Sequence, residues 1–140
     1  MSQRGQAGLE YSFILVLVLM ASLSLAYLTF DQVQASTRLS QAELAVKQVS
    51  DAADLVYTSG VGSKTTVRVY IPSGINHSSI GGREVLLRAY GTRGALVDSY
   101  RVTIANLTPT ALPLSESSYS FSVEFLSNGN VSVYNVLEGS

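Results

Sequence analysis

The sequence predicts an α+β protein in which one long N-terminal helix packs on a C-terminal antiparallel β-sheet domain. Residues 11–30 are apolar without a single charged side chain. From residue 35 to residue 56, apolar residues recur every three or four positions, and after residue 62 the apolar period changes to two. These two periods are those of helices and strands. We therefore expect a helix over residues 6–60 and a sheet domain over residues 61–140.

The apolar stretch from Tyr11 to Phe30 is bounded by Glu10 and Asp31. As a helix its 20 residues span roughly 30 Å, the thickness of a bilayer's hydrocarbon core. A buried core helix and a secretory signal peptide are the alternatives. The apolar run continues beyond the small residues at 21–24, which favours a span that stays with the protein. The basic Arg4 before it predicts a cytoplasmic N-terminus.

Beyond the apolar stretch, a heptad-like seam predicts that the same helix continues as an amphipathic one. Glu43, Lys47 and Asp51 follow one another at four-residue spacing on another helix face. No proline precedes Pro72, and Gly60 is placed to end the helix as a C-cap. The seam consists of Ala35, Leu39, Ala42, Val46, Val49, Ala53 and Val56.

Alternating residues after Gly62 predict an antiparallel sheet of four or five strands, one face of which packs on the helical seam. Asn128-Gly129 is a strong hairpin signal. The pairs Gly81-Gly82 and Gly91…Gly94 are interpreted as turns. The predicted strands are residues 67–71, 83–90, 95–105, 119–126 and 131–137.

Composition excludes several classes of function. The chain has no cysteine, so it forms no disulfide and no cysteine-based zinc site. His77 is the only histidine, and we expect no metal and no cofactor. Nine basic and ten acidic side chains nearly cancel, so nucleic-acid binding is not predicted. No constellation of catalytic side chains stands out, and we expect the chain not to be an enzyme.

The residues before the apolar stretch read Arg4-Gly5-Gln6-Ala7-Gly8-Leu9-Glu10. This segment resembles the class III signal peptide of archaeal type IV pilins. The resemblance implies that a prepilin peptidase removes a leader, residues 1–5, by cutting between Gly5 and Gln6. Gln6 and Glu10 then match the family's first and fifth mature residues, whereas Gly8 stands where the family usually has serine. The resemblance covers the first 30 residues, and the β-sheet domain resembles the family only in kind.

Membership in this family implies a structural subunit of a pilus-like filament of identical chains, assembled through their apolar helices. The precursor is expected in the membrane, and the mature chain in an extracellular surface filament that supports adhesion. Its expected partners are the peptidase, the pilus assembly machinery and a surface or glycan receptor. An archaellin-like filament subunit is one alternative, although Glu10 is a pilin trait. The other is a monomeric, membrane-tethered β-domain that binds a ligand or partner.

Glu10 carries a hypothesis about assembly. Cutting after Gly5 creates a new cation, the amino group of Gln6, and residues 6 and 10 lie about 6 Å apart along a helix. A staggered neighbouring helix can place that amino group beside Glu10, which would set the register of each incoming subunit. As an acid in the first helical turn, Glu10 also suits the helix dipole. The alternatives are a contact with the chain's own amino end and cyclisation of Gln6, which removes the cation.

Two further patterns lie in the β-sheet domain. Asn76, Asn106 and Asn130 each begin an Asn-X-Ser/Thr sequon on predicted loops or a hairpin, which predicts N-glycosylation of an exterior surface. Chance occurrence in a Ser- and Thr-rich chain is the alternative. Five arginines lie between residues 68 and 101. They are compatible with contacts between head and stalk of neighbouring subunits, with an anionic ligand such as DNA or a polysaccharide, or with solvated strand faces.

Overall fold

The computed structural model describes residues 3–136, and this part of the chain forms one α-helix, one short 3₁₀ turn and five strands. The chain divides between Gln34 and Ala35 into two compact units. We call the second the sheet unit, and residues 11–30 of the first the apolar segment. Helix α1 covers Gln3–Ser59, and the strands are β1 Lys64–Ile71, β2 Ile75–Tyr90, β3 Leu96–Thr110, β4 Ser117–Phe125 and β5 Val131–Val136.

Helix α1 begins earlier than predicted and ends where predicted. Its first residue is Gln3, so the helix includes the predicted leader residues 3–5. Met1 and Ser2, the rest of that leader, lie outside the described residues. The helix ends at Ser59, and Gly60 follows with φ of 101°. That conformation is strained for a residue with a Cβ atom, so glycine ends the helix here as a C-cap.

The amphipathic part of α1 packs on the sheet through the predicted seam, which is confirmed. Six of the seven seam residues are buried, and Leu39 is half-buried against the core. Ala45 and Ala52 add further small buried side chains. Their side chains lie in the same buried core as those of the sheet. The sheet contributes Val69, Ile71, Val85, Leu87, Phe121, Val123 and Val131 to the same core.

The five-stranded sheet has the order β1-β4-β5-β3-β2 and is mixed. Its β1–β4, β2–β3 and β4–β5 pairs are antiparallel as predicted. The prediction of a purely antiparallel sheet is wrong at β3–β5, which pair in parallel through Leu107 and Val131. The chain reverses once between β3 and β4 and again between β4 and β5. Two reversals leave β5 running in the direction of β3, so the contact between them is parallel.

Strand β2 is twice the predicted length and includes the two glycines interpreted as a turn. The interpretation as a turn is wrong, because the chain continues through both glycines as one strand. The glycines lie where the β2–β3 register shifts, between Ile80 and Gly82 and again between Gly82 and Glu84. Gly82 has φ of 58°, so the glycine supports a bulge inside the strand. The predicted turn at residues 91–94 is confirmed as the 3₁₀ turn Thr92–Gly94. Leu137, the last residue of the predicted fifth strand, lies outside the described residues.

Candidate functional site

The apolar segment is exposed over its whole length within this chain. Every residue from Gln3 to Gln34 is exposed, and large side chains such as Leu15 and Met20 keep 60% and 64% of their surface. By length and composition, helix α1 is able to cross a membrane. A contiguous apolar surface of this size marks a site that lipid or another protein covers.

The hydroxyl side chains of the apolar segment form hydrogen bonds to the backbone of their own helix. All four of its Ser and Thr hydroxyls donate to the carbonyl oxygen four residues earlier, at 2.8–2.9 Å. Such bonds satisfy hydroxyls that would otherwise be costly to remove from water. The two tyrosines, Tyr11 and Tyr27, stand near the two ends, where aromatic residues favour the membrane–water interface. The donors are Ser12, Ser22, Ser24 and Thr29.

The predicted cleavage site, Gly5–Gln6, lies within the first turns of α1 and is exposed. Cutting there requires the helix end to unwind, which glycine at positions 5 and 8 makes easier. Glu10 is exposed and has no ion-pair partner among residues 3–136. It stands in the third turn of the uncut helix, so the expected dipole stabilisation is wrong for this form. Only removal of residues 1–5 would bring Glu10 within about one turn of the helix end.

Two of the three sequon asparagines lie in strands, so their placement on loops is wrong. Asn76 is in β2 and Asn106 in β3, whereas Asn130 directly precedes β5 in the predicted hairpin turn. The side-chain amide of Asn106 donates from Nδ2 to Oδ1 of Asn130 at 2.7 Å. The sheet therefore brings two sequons together that are 24 residues apart. The turn itself is held by a 3.0 Å hydrogen bond, which the backbone N–H of Asn130 donates to Oδ1 of Asn128.

The hydroxyl residues of the sequons differ in exposure. Ser78, which completes the Asn76 sequon, is buried and donates to the carbonyl oxygen of Leu112 at 2.6 Å. The hydroxyl oxygen of Thr108, in the Asn106 sequon, is buried and has no hydrogen-bond partner among residues 3–136. Ser132, in the Asn130 sequon, is half-buried. Thr108 as a whole residue is half-buried as well, so these two sequons differ only in the hydroxyl oxygen, which is enclosed in Thr108.

The five arginines do not form one site, because they lie on three strands and on the turn between β2 and β3. Arg88 donates to both carboxylate oxygens of Asp98, at 2.5 and 2.8 Å. These hydrogen bonds hold the pKa of Asp98 below its ordinary value and raise the pKa of Arg88. Arg101 lies 3.9 Å from Asp51 on the helix, so one head-to-stalk ion pair forms within a single chain. Arg83 donates to the carbonyl oxygen of Ile104 at 3.2 Å.

An open groove of about 730 Å³ separates helix α1 from strand β3. Leu44 and Lys47 line its helical side, and Tyr100, Arg101 and Val102 line its strand side. In this stretch β3 pairs with β2 along one edge only. Sequence reasoning missed the groove, since the spacing between two elements is set by tertiary packing. The apolar side chains at positions 100, 102 and 104, on one strand face, were the available signal.

No protein-family model, curated protein or solved structure matches the chain. Within residues 3–136, no group of three or more His, Cys, Asp or Glu side chains could hold a metal ion. The chain's own distinguishing features are the exposed apolar segment and the short motif before it.

Proposed function

We propose that the chain is a structural subunit of a surface filament of the archaeal type IV pilus class. One observation carries the proposal. The charge-free apolar segment directly follows the Arg4…Glu10 motif and is exposed along its whole length. A chain that kept this surface in water would be unstable as a monomer, whereas a bundle of identical helices covers it.

The free energy for such a bundle comes from apolar burial. Removing apolar surface from water is worth roughly 25 cal/mol per Å². The apolar segment of 20 residues therefore supplies tens of kcal/mol in gross terms, from which association costs are subtracted. The serine and threonine hydroxyls of the segment already form hydrogen bonds within the helix, so neighbouring chains need to supply only packing contacts to this part of the surface. The small residues Ala21, Ser22 and Ala26 permit close helix approach.

Glu10 is the side chain that would set the register of assembly. It has no ion-pair partner among residues 3–136, and a carboxylate surrounded by apolar helices needs one. The amino group that cleavage would create on Gln6 of a neighbouring subunit supplies the opposite charge. Each incoming subunit would then stop where its amino group meets Glu10 of a subunit already in place.

In this proposal the chain passes from the membrane into an extracellular filament. The precursor spans the membrane with Arg4 on the cytoplasmic side, a prepilin peptidase removes residues 1–5, and assembly machinery transfers the apolar segment from lipid into the filament core. The sheet unit then faces the exterior, where it supports adhesion to a surface or glycan receptor. The polar hairpin turn and the sequons suit such a solvated position.

The test replaces Glu10 by alanine in cells that make the filament. Glu10→Ala is expected to leave cutting at Gln6 normal while the protein stays in the membrane and few filaments appear. Asp31→Ala, which removes the acid at the other end of the apolar segment, is the matched control and is expected to assemble. Electron microscopy counts the filaments, and mass spectrometry reads the N-terminus. Abundant normal filaments from Glu10→Ala, or fully cyclised Gln6 inside filaments, would contradict the role of the pair.

The groove between α1 and β3 favours one alternative, a monomeric membrane-tethered domain that binds a partner outside the cell. Such a protein has no need to lose its first five residues. It would keep Met1 to Gly5 and remain a detergent-soluble monomer. An archaellin-like filament, the other alternative, would rotate, and a swimming assay of cells with and without the gene distinguishes it from a pilus.

A further inference from the structure

Asn106 and Asn130 belong to two different sequons and touch each other in the folded sheet unit. We infer that together they form one glycosylation locus, which carries a single N-linked glycan, attached at Asn130. The inference rests on the extracellular position of the sheet unit, which is part of the proposed function. Asn76 lies outside this locus, since its side-chain oxygen accepts a 3.4 Å hydrogen bond from the Tyr90 hydroxyl instead.

The distance between the two asparagines limits the locus to one glycan. Nδ2 of Asn106 lies 2.7 Å from Oδ1 of Asn130. The oxygen and nitrogen of one amide are about 2.3 Å apart, so the two Nδ2 atoms lie within about 5 Å of each other. N-linked glycans are bulky. Two first sugars attached this close together would compete for the same space above the strands, unless one side chain broke the bond and turned away.

Three features favour Asn130 as the modified residue. The hydroxyl oxygen of Thr108 is enclosed without a hydrogen-bond partner among residues 3–136, whereas Ser132, a half-buried residue like Thr108, has no such enclosed oxygen. This difference acts against the exposure of the asparagines themselves, since Asn106 is exposed and Asn130 is half-buried. Asn130 precedes β5 in a turn, whereas Asn106 lies inside β3. The bond between them also uses the nitrogen of Asn106 and the oxygen of Asn130. A sugar on the Asn130 nitrogen leaves that oxygen free to accept.

The transfer needs a glycan activated on a lipid-linked phosphate. Nδ2 of Asn130 forms a bond to the anomeric carbon of the sugar, and the bond from that carbon to the phosphate oxygen breaks. The phosphate leaves with the bonding electron pair, and one amide proton is released. The product keeps Oδ1 and one N–H, so the bond from Asn106 persists next to Leu107 and Val131, where β3 and β5 pair.

The locus also has a structural role that follows from its position. The β3–β5 pairing consists of Leu107 and Val131 among the described residues, and each is the direct neighbour of a locus asparagine. The hydrogen bond between the two side-chain amides extends this short contact. A second glycan that forced the asparagines apart would therefore weaken the junction between β5 and β3.

The experiment expresses the full chain in a host that N-glycosylates exported proteins and maps glycopeptides together with the intact mass. We expect a glycan on Asn130, none on Asn106, and no chain modified at both. Thr108→Ala, which destroys the Asn106 sequon, is expected to change nothing. Ser132→Ala keeps both asparagines but destroys the Asn130 sequon, and it is expected to abolish the glycan at the locus.

Several outcomes would overturn the inference. Chains carrying both glycans would exclude a shared locus, and loss of the glycan in Thr108→Ala would assign it to Asn106. Chains that carry a glycan at Asn76 but none at Asn106 or Asn130 would exclude the locus, while glycosylation of the chain as such would stand. Bare sequons throughout, in a host that modifies a control protein, would exclude glycosylation of this chain. Filaments counted by electron microscopy in the same cells test the proposed function separately.

Discussion

The first and second parts of helix α1 are continuous in sequence and opposite in environment. Residues 3–34 expose every side chain, and the apolar segment carries long leucine, valine and phenylalanine side chains around its whole circumference. From Ala35 onward, the helix buries a narrow seam of alanine and valine against its own sheet. The helix-forming backbone is the same in both parts, but only the second part finds its partner within the chain.

This difference teaches how side-chain size reports the partner. Alanine at positions 42, 45 and 53 is fully or almost fully buried, so small side chains suffice to fill the interface between helix and sheet. Long side chains all round a helix fit a surrounding medium or bundle instead. Charges should therefore act through different partners in the two parts of the helix.

The largest effect is expected at the seam. Val49 is fully buried between α1 and the sheet, so Val49→Asp places an unpaired carboxylate in the core. We expect it to lower the free energy of unfolding of the sheet unit by more than about 3 kcal/mol. Thermal unfolding followed by circular dichroism in detergent measures it. Leu44→Asp, on the exposed side of the same helix, is the control and should melt close to the parent chain.

A charge in the apolar segment should impair membrane insertion and leave the stability of the sheet unit unchanged. Val18 is more than half exposed and belongs to the first compact unit, not to the sheet unit. Val18→Arg is expected to cost about 3 kcal/mol in membrane insertion and to leave the melting of the sheet unit unchanged. Carbonate extraction of membranes reports insertion, with Val18→Leu as the control. A lower melting temperature of the sheet unit in Val18→Arg would contradict the independence of the two parts.

Glycine substitutions at the two ends of α1 should have opposite signs. Gly60 has φ of 101°, so Gly60→Ala is expected to destabilise the sheet unit by about 1 kcal/mol. Gly8 is helical and has nothing within 4 Å of an added Cβ, so Gly8→Ala should strengthen the helix by about 1 kcal/mol. Chemical denaturation measures the first, and helix content in detergent the second. If Gly60→Ala stabilised the chain as Gly8→Ala does, a side chain at the C-cap would cause no strain, which would contradict this prediction.

The smallest effect concerns pH. Hydrogen bonds from Arg88 hold the pKa of Asp98 below its ordinary value of 3.8. The ionised carboxylate therefore contributes to the stability of the folded sheet unit above that value, and the contribution is lost as the pH falls through the lowered pKa. We expect Asp98→Asn to reduce the loss of stability on acidification. A pH series of melting temperatures tests this, and identical slopes for both chains would contradict it.

The sequence predicts the helix, its seam and the five strand cores because each is a local pattern. Position 49 follows the helical period and position 123 the strand period, and both are fully buried. The extended β2 was missed because residues 75–82 contain glycine, serine and asparagine without apolar alternation. Pairing with β3 makes this segment a strand, and pairing is not a local property.

The candidate site divides in the same way. The apolar segment and the Arg4…Glu10 motif are contiguous in sequence, so both could be read directly. The contact between Asn106 and Asn130 joins β3 to the turn before β5, and it depends on a parallel pairing that local patterns do not encode. The helix begins at Gln3 instead of residue 6, and no proline stands between these positions to mark a boundary in the sequence.

The central claim is that the exposed apolar segment is covered by other copies of this chain after removal of the leader. The most direct test is N-terminal mass analysis of chains taken from filaments sheared off the cell surface. The account predicts that these chains begin at Gln6 and that the filaments are absent from cells without the gene. Chains that still begin at Met1, found as detergent-soluble monomers in the membrane fraction and absent from filaments, would contradict it.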